Sequence, residues 1–250
     1  MPDPAMRLEY PSVVRMHEVG LDGVAPLPVL LNYFQEAASI HAATLGWGRD
    51  EMLAENLTWV LARLFVEIDR QPAPWETVIT TTWPVRREKY TARRDFSFSD
   101  AAGQVWARGT TSWAMIDIDA RRMVSIPASF GKHFENSFPG HLEFVGKRVA
   151  ALGGEPLQVS QVTARLFDLD VNGHVNNTHF ASWALEAVPD AFAATHRLTA
   201  FDMQYRAEVR RGDMVRSLCG TGGEGELLHA LVRDDDATEV ARARTTWQTR

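Results

Sequence analysis

Cysteine is almost missing from this chain. The one example among 250 residues, Cys219, excludes an internal disulfide framework and any cluster of thiolate ligands, and it fits a reducing compartment. Long apolar runs are missing too. No segment approaches the roughly 20 residues needed to span a bilayer. The opening "MPDPAMRLEY" has no basic region followed by an apolar stretch, so neither membrane insertion nor a secretory leader is expected, and the expected location is the cytoplasm. Surplus positive charge is the third absence. A net charge of −6 argues against general nucleic-acid binding, because phosphates are held by an excess of Lys and Arg, and a negatively charged partner would need a local basic patch. What remains is 45% hydrophobic and 23% charged residues, the composition of a soluble globular protein long enough for one large domain or two of ordinary size.

The chain repeats itself. Val14–Ala38 set beside Ala164–Val188 without gaps matches Arg15 to Arg165, Gly23 to Gly173, Glu36 to Glu186 and Ala37 to Ala187, always at an offset of 150. Further on, "ARGTTSW" (Ala107–Trp113) resembles "ARARTTW" (Ala241–Trp247), and "LFVEIDR" (Leu64–Arg70) resembles "YRAEVRR" (Tyr205–Arg211), a pairing that sets Glu67 against Glu208. Short matches arise by chance, but their shared order points to duplication.

Each half reads as a short strand, a loop, one helix and a run of strands. In the first, Pro26 and Pro28 mark a helix start, and Leu27, Leu30, Leu31, Phe34, Ala38 and His41 recur at helical spacing until "LGWG" stops it. The β-branched and aromatic segments "LTWVLARLFVEI", "ETVITTTWPV", "TARRDFSFSD" and "QVWARGTTSWAMIDI" follow as antiparallel strands. In the second half the helix is expected to begin with Asn177 or Thr178 as its cap and to stop before Pro189, with strands at "LTAFDMQYRAEV", "MVRSLCGT", "ELLHALVRD" and "EVARARTTWQ". Gly131–Glu155 is rich in turn formers and reads as a surface connector. The organisation expected is thus residues 1–130, a connector over 131–155, and residues 156–250. The fold class is α+β, a helix against an antiparallel sheet in each half, with the two halves forming one continuous sheet.

One stretch has a composition that no helix or strand requires. Asp168–Asn177, "DLDVNGHVNN", holds two aspartates, a histidine and three asparagines. Such residues are common in loops because they tolerate turn geometry and cap helices, so taken alone the stretch reads as an elaborate cap. A wider match changes its weight. "DLDVNGHVNNTHFASWALEAVP" with "LTAFDMQYRAEVRRGD", and in the first half "LTWVLARLFVEI", "ARRDFSF" and "ARGTTSWAMIDIDARRMVSIP", resemble the acyl-acyl-carrier-protein thioesterases, the plant chain-terminating enzymes and their bacterial relatives. The resemblance implies a double hotdog, two helix-in-sheet units in one chain. It implies hydrolysis of an acyl thioester to free fatty acid, with an acyl carrier protein bearing an acyl-phosphopantetheine as partner.

Carried over residue by residue, the resemblance places the catalytic set on Asp170, Asn172 and His174, spaced D-x-N-x-H, and on Glu208 in the "YRAEV" strand. Such residues suit the chemistry: a carboxylate accepts a proton from water, an imidazole shuttles one near neutral pH, and an amide orients either. An anhydride on Asp170 or Glu208 is the open alternative to attack by activated water. Relatives often carry cysteine directly after the glutamate, and here Val209 stands there, so a thiol nucleophile at that site is excluded. Cys219 reads as inert packing. No cofactor is expected, and no metal, since no second histidine sits at ligand spacing from His174. Asp168 and Asn176 are expected to shape the loop. Across the repeat Asp170, Asn172 and His174 face Gly20, Asp22 and Val24, so the first half reads as non-catalytic, and the resemblance gives it the task of shaping the acyl pocket.

An acidic carrier calls for local cations. Arg86, Arg87, Lys89, Arg93 and Arg94 supply one cluster, and Arg206, Arg210, Arg211 and Arg216 a second; ordinary ion pairs on a solvated strand face are the plain alternative. Pairing of two chains into a homodimer is compatible with the family. The rival functions are a coenzyme A thioesterase or a hydratase on a similar fold, and a non-catalytic acyl-binding regulator. The presence of Asp170, His174 and Glu208 together argues against the regulator.

Overall fold

The computed structural model describes residues 3–135 and 137–250. Met1 and Pro2 of the opening segment, and Asn136 of the expected connector, lie outside the described residues. The chain up to Glu143 makes one compact unit and the chain from Phe144 makes a second.

In the first unit β1 (Leu8–Val13) leads to α1 (Leu27–Thr44) and the short α2 (Arg49–Ala54). Four long strands follow, β2 (Leu57–Ile68), β3 (Thr77–Arg87), β4 (Thr91–Ser99) and β5 (Val105–Asp117), then β6 (Arg122–Met123) and α3 (Gly131–Glu135). The strands pair antiparallel in the order β1-β3-β4-β5-β2, with β6 added to β5. The second unit runs β7 (Gln158–Thr163), α4 (Asn177–Glu186), α5 (Asp190–Thr195), β8 (His196–Tyr205), β9 (Met214–Thr221), β10 (Glu226–Arg233) and β11 (Glu239–Thr249). Its order, β7-β9-β10-β11-β8, is the same topology.

The long helix of the first unit is held by an apolar face. Leu27, Leu30, Leu31, Phe34, Ala37, Ala38 and His41 are buried, and Phe34 stacks between Phe96 and Phe98 of β4 at 4.5 and 4.3 Å between ring centroids. A Cβ added to Gly109 on β5 would meet the Phe34 ring at 2.6 Å, so that strand needs glycine for the helix to approach. Losing the Phe34 ring would cost about 3–5 kcal/mol. Gly46, at a φ of 76°, closes the helix in a conformation that favours glycine. No helix among the described residues is long and apolar enough to cross a membrane.

The structure departs from the expectations in four places. The cap of α4 is Asn176, whose Oδ1 accepts the Thr178 N–H at 3.1 Å, one or two residues before the expected position. Strand β8 stops at Tyr205, so Glu208 stands in the loop that follows rather than in a strand. The connector is not simply laid over the surface. It begins as α3, and residues 137–143 are tied to the first sheet: Trp83 Nε1–H donates to the Pro139 carbonyl at 3.1 Å, the His141 N–H donates to Asp95 Oδ2 at 2.8 Å, and Arg93 reaches the Leu142 carbonyl and Glu143.

The fourth departure concerns charge. Arg93 and Arg94 are 5% and 7% exposed, so their guanidinium groups cannot form the docking surface assigned to them with Arg86, Arg87 and Lys89. Both strand faces of β4 are covered, one by the strap at residues 137–143 and the other by α1. An alternation of cations in sequence could not reveal that second cover.

Candidate active site

Three backbone anchors lay the loop of the second unit beside the turn that follows β8. The Ala164 N–H donates to the Asp213 carbonyl (2.9 Å), the Gly212 N–H to the Ala164 carbonyl (2.9 Å), and the Val175 N–H to the Val209 carbonyl (2.9 Å). Inside the loop the Asp170 N–H donates to the His174 carbonyl at 2.7 Å, and the Gly173 N–H to the Asp170 carbonyl at 3.0 Å. Gly173 holds a φ of 77° to close this turn.

The four expected residues fall into two pairs. Asp170 Oδ1 accepts the Asn172 N–H at 2.8 Å and, weakly, the His174 N–H at 3.4 Å, while Asn172 Nδ2 donates to Asp170 Oδ2 at 3.3 Å. This aspartate therefore folds the loop around itself. Across the gap His174 Nε2 lies 3.1 Å from Glu208 Oε2, with side chains 27% and 45% exposed. A histidine and a carboxylate at that distance, open to solvent on one side, can pass a proton between them and to a water.

Surrounding groups fix the pair. Arg233 Nη1–H donates to the Glu208 carbonyl at 3.0 Å, and the same guanidinium is gripped by Asp236 (2.8 Å) and lies 3.6 Å from Asp213. Arg210 Nη2 stands 3.8 Å from Glu208 Oε2. Asp168 Oδ2 accepts the Arg165 N–H at 2.7 Å, and His179 faces Asp168 at 3.7 Å rather than His174. Arg233 escaped the sequence reading. Its place on β10, far along the chain, gave no local signal. Val209 is wholly buried. Cys219 packs against Ala187, Val188 and Leu227, and burial pushes its thiol up to about 11, which leaves it protonated and unreactive.

The first unit repeats the loop scaffold with other side chains. The Arg15 N–H donates to Glu18 at 2.7 Å as the Arg165 N–H does to Asp168, the Gly20 N–H donates to the Val24 carbonyl at 2.9 Å, and Gly23 holds a φ of 79°. The Ala25 N–H donates to the Pro72 carbonyl at 2.9 Å, the counterpart of Val175 to Val209, which makes Gln71 the positional partner of Glu208. The register of β2 agrees. Glu67 faces Arg108 in one unit as Gln204 faces Arg242 in the other, so the sequence pairing of Glu67 with Glu208 is four residues out of step. Gln71 donates its amide to the Ala25 carbonyl at 2.9 Å.

Two helix-in-sheet units of one topology, each with a matching loop ahead of its helix, define a double hotdog. The chain belongs to the acyl-ACP thioesterase family: the acyl-ACP thioesterase N-terminal domain matches residues 7–134 and the C-terminal domain residues 155–249. It is 31% identical to a chloroplastic palmitoyl-acyl carrier protein thioesterase of Cuphea hookeriana over 94% of this chain and 60% of that protein. It is 30% identical to oleoyl-acyl carrier protein thioesterase 1 of Arabidopsis thaliana, over 94% of this chain and 74% of that one. The chain thus spans about three fifths of the Cuphea protein. Among solved structures, an acyl-ACP thioesterase from Bacteroides thetaiotaomicron superimposes with a TM-score of 0.87 at 26% identity, covering 97% of this chain and 98% of that one. The 12:0-ACP thioesterase of Umbellularia californica gives 0.87 at 28% identity, covering 98% of each.

Proposed function

We propose that the protein hydrolyses the thioester of an acyl group borne by acyl carrier protein, releasing free fatty acid and ending chain elongation. The observation that carries this reading is the 3.1 Å contact between His174 and Glu208, in the one half whose loop keeps Asp170 and Asn172, in a chain of this family. Glu208 takes the proton of a water as that water attacks the thioester carbon. Its Oε2 faces the imidazole, which gives the proton a route through His174 to the departing thiolate. Asp170 and Asn172 hold the loop in the shape that presents His174. The N-terminal turn of α4, three residues beyond His174, brings amide dipoles toward the developing oxyanion. No metal or organic cofactor enters this scheme.

The first unit supplies the walls of the acyl pocket, with the side of its sheet that faces α1 as the receiving region. For docking the acidic carrier, Arg210 and Arg211 are the best-supported pair, because both are exposed beside Glu208 and their counterparts in the first unit are Ala73 and Pro74. Arg86 is committed in part, 4.0 Å from Glu88 and 3.6 Å from Glu143, and with Arg87 and Lys89 makes the secondary cluster. The cytoplasm is the proposed location.

Incubation of the purified protein with carrier-linked acyl groups of graded length, followed by mass spectrometry of the products, tests the reading. Free fatty acid is expected, released faster from the carrier than from coenzyme A. Intact acyl carrier after long incubation, or a dehydrated or hydrated acyl group in place of free acid, would contradict it.

A further inference from the structure

Among the described residues of the first unit, none neutralises the charge of Arg94. It sits on β4 facing α1, where its Nη1–H groups donate to His41 Nδ1 at 2.9 Å and to Thr82 Oγ1 at 3.2 Å. His41 in turn donates from Nε2 to the Ala5 carbonyl at 3.2 Å, so the ring is neutral, and burial with the nearby guanidinium lowers it to about 4. Arg94 itself is lowered by burial to about 10. Among the described residues no carboxylate pairs with it, and its Nε and Nη2 make no hydrogen bond. A buried cation without an anion is costly.

The duplication shows that the fold does not need a cation there. Arg94 faces Thr111 across to β5, and Leu227 faces Thr245 across to β11. In each unit a tryptophan ring N–H, from Trp113 or Trp247, donates to that threonine at 2.8 Å, so Arg94 and Leu227 fill one position. Thr82 likewise corresponds to Cys219, since Leu8 faces the one and Gln158 the other. In the second unit Leu227 and Cys219 close an apolar cluster with Ala187 and Val188. The first unit has put an arginine and a threonine where its twin packs Leu227 and Cys219.

We propose that Arg94, flanked by His41 and Thr82, is a receiving site for a carboxylate at the end of an aliphatic chain bound inside the first unit. The planar guanidinium has two nitrogens left to hold both oxygens, which favours carboxylate over a tetrahedral anion. Phe34, Phe96 and Phe98 along the same helix-facing side suit the aliphatic part. That carboxylate has two sources: the head of a free fatty acid, which is the product of the proposed reaction, or the far end of an acyl group oxidised at its terminal carbon. The site rests on the reading that the first unit receives the acyl chain.

Two arms test it with the full chain. In the first, calorimetry compares decanoate with 1-decanol, and in the second, turnover compares carrier-linked acyl groups of one length that end in a methyl or a carboxylate. The wild-type protein should favour the carboxylate in at least one arm by about tenfold or more, the scale of a charge-assisted hydrogen bond. R94L, which installs the residue of the twin position, should erase that preference while still hydrolysing the methyl-ended substrate. Loss in the first arm assigns the fatty-acid head, and loss in the second assigns the oxidised tail. A wild-type protein without preference, or a preference that survives R94L, overturns the proposal. If R94L melts too low to assay, R94K is read instead: it keeps the charge but not the planar fork, and the preference should shrink, whereas an undiminished preference would count against the site. Hydrolysis of the methyl-ended substrate by the wild type reports separately on the proposed function.

Discussion

Gln71 and Glu208 hold the same position in two copies of one fold. Each precedes a residue, Pro72 or Val209, whose carbonyl accepts an amide from the residue that follows the loop, Ala25 or Val175, at 2.9 Å in both units. The matching backbones carry a neutral amide in one copy and a carboxylate in the other. Gln71 turns its donor to the Ala25 carbonyl. Glu208 meets an imidazole.

Arg233 should prove to be a positioning residue for Glu208. R233M removes the donor to the Glu208 carbonyl and the contacts with Asp213 and Asp236, and kcat is expected to fall about tenfold or more through lost orientation, with KM changed less. R233K should recover part of the loss. Equal kcat in wild type and R233M would assign the residue to hairpin stability alone.

The thiol should be spectator chemistry. With Cys219 raised to about 11, roughly one molecule in a thousand carries a thiolate at pH 8, so the native protein should resist iodoacetamide and keep its activity in its presence. C219A should turn over as the wild type does. Rapid alkylation with parallel inactivation would show that the thiol is neither buried nor idle.

Stability should fall on acidification in a defined window. His41 and His229 are lowered to about 4 in the folded protein by burial, against 6.5 for the ordinary side chain. The unfolded chain therefore binds more protons between those values, and stability is full above about pH 6.5 and is lost progressively as pH falls toward 4. Each residue contributes on the order of 3 kcal/mol to that slope. Thermal unfolding from pH 7 to 4 should show the drop, and H229N should flatten it. An unchanged slope in H229N would show that this ring is already charged in the fold.

Carrier docking should respond to charge beside the site. R211E is expected to raise KM for the carrier-linked substrate several-fold and to leave the coenzyme A thioester nearly unaffected, since the effect acts on a macromolecular partner. Equal effects on the two substrates would return Arg211 to a structural role.

The sequence carried the architecture far because the signals were local. β2 spans Leu57–Ile68, the residues of its apolar run, and α1 begins at Leu27 behind Pro26. The 150-residue offset reappears as matched turns at Gly23 and Gly173. The Asp170–His174 loop was legible from composition and family resemblance together. What failed had non-local causes. The end of β8 depends on where its ladder to β11 stops, which no residue in "YRAEV" announces, and so Glu67 was set against Glu208 in place of Gln71. Arg93 and Arg94 resembled surface cations because their covers, the strap at residues 137–143 and α1, lie at a distance in sequence.

If chemistry resides in the second copy through Glu208, steady-state hydrolysis of an acyl-carrier substrate by E208Q beside Q71E will reveal it. The amide is nearly isosteric with the carboxylate, so E208Q should fold, as thermal unfolding can verify. E208Q should lower kcat by about a hundredfold or more with little change in KM, the scale of losing a general base, and Q71E should leave kcat near that of the wild type. A kcat for E208Q within a few-fold of wild type, or a larger loss in Q71E than in E208Q, would contradict it.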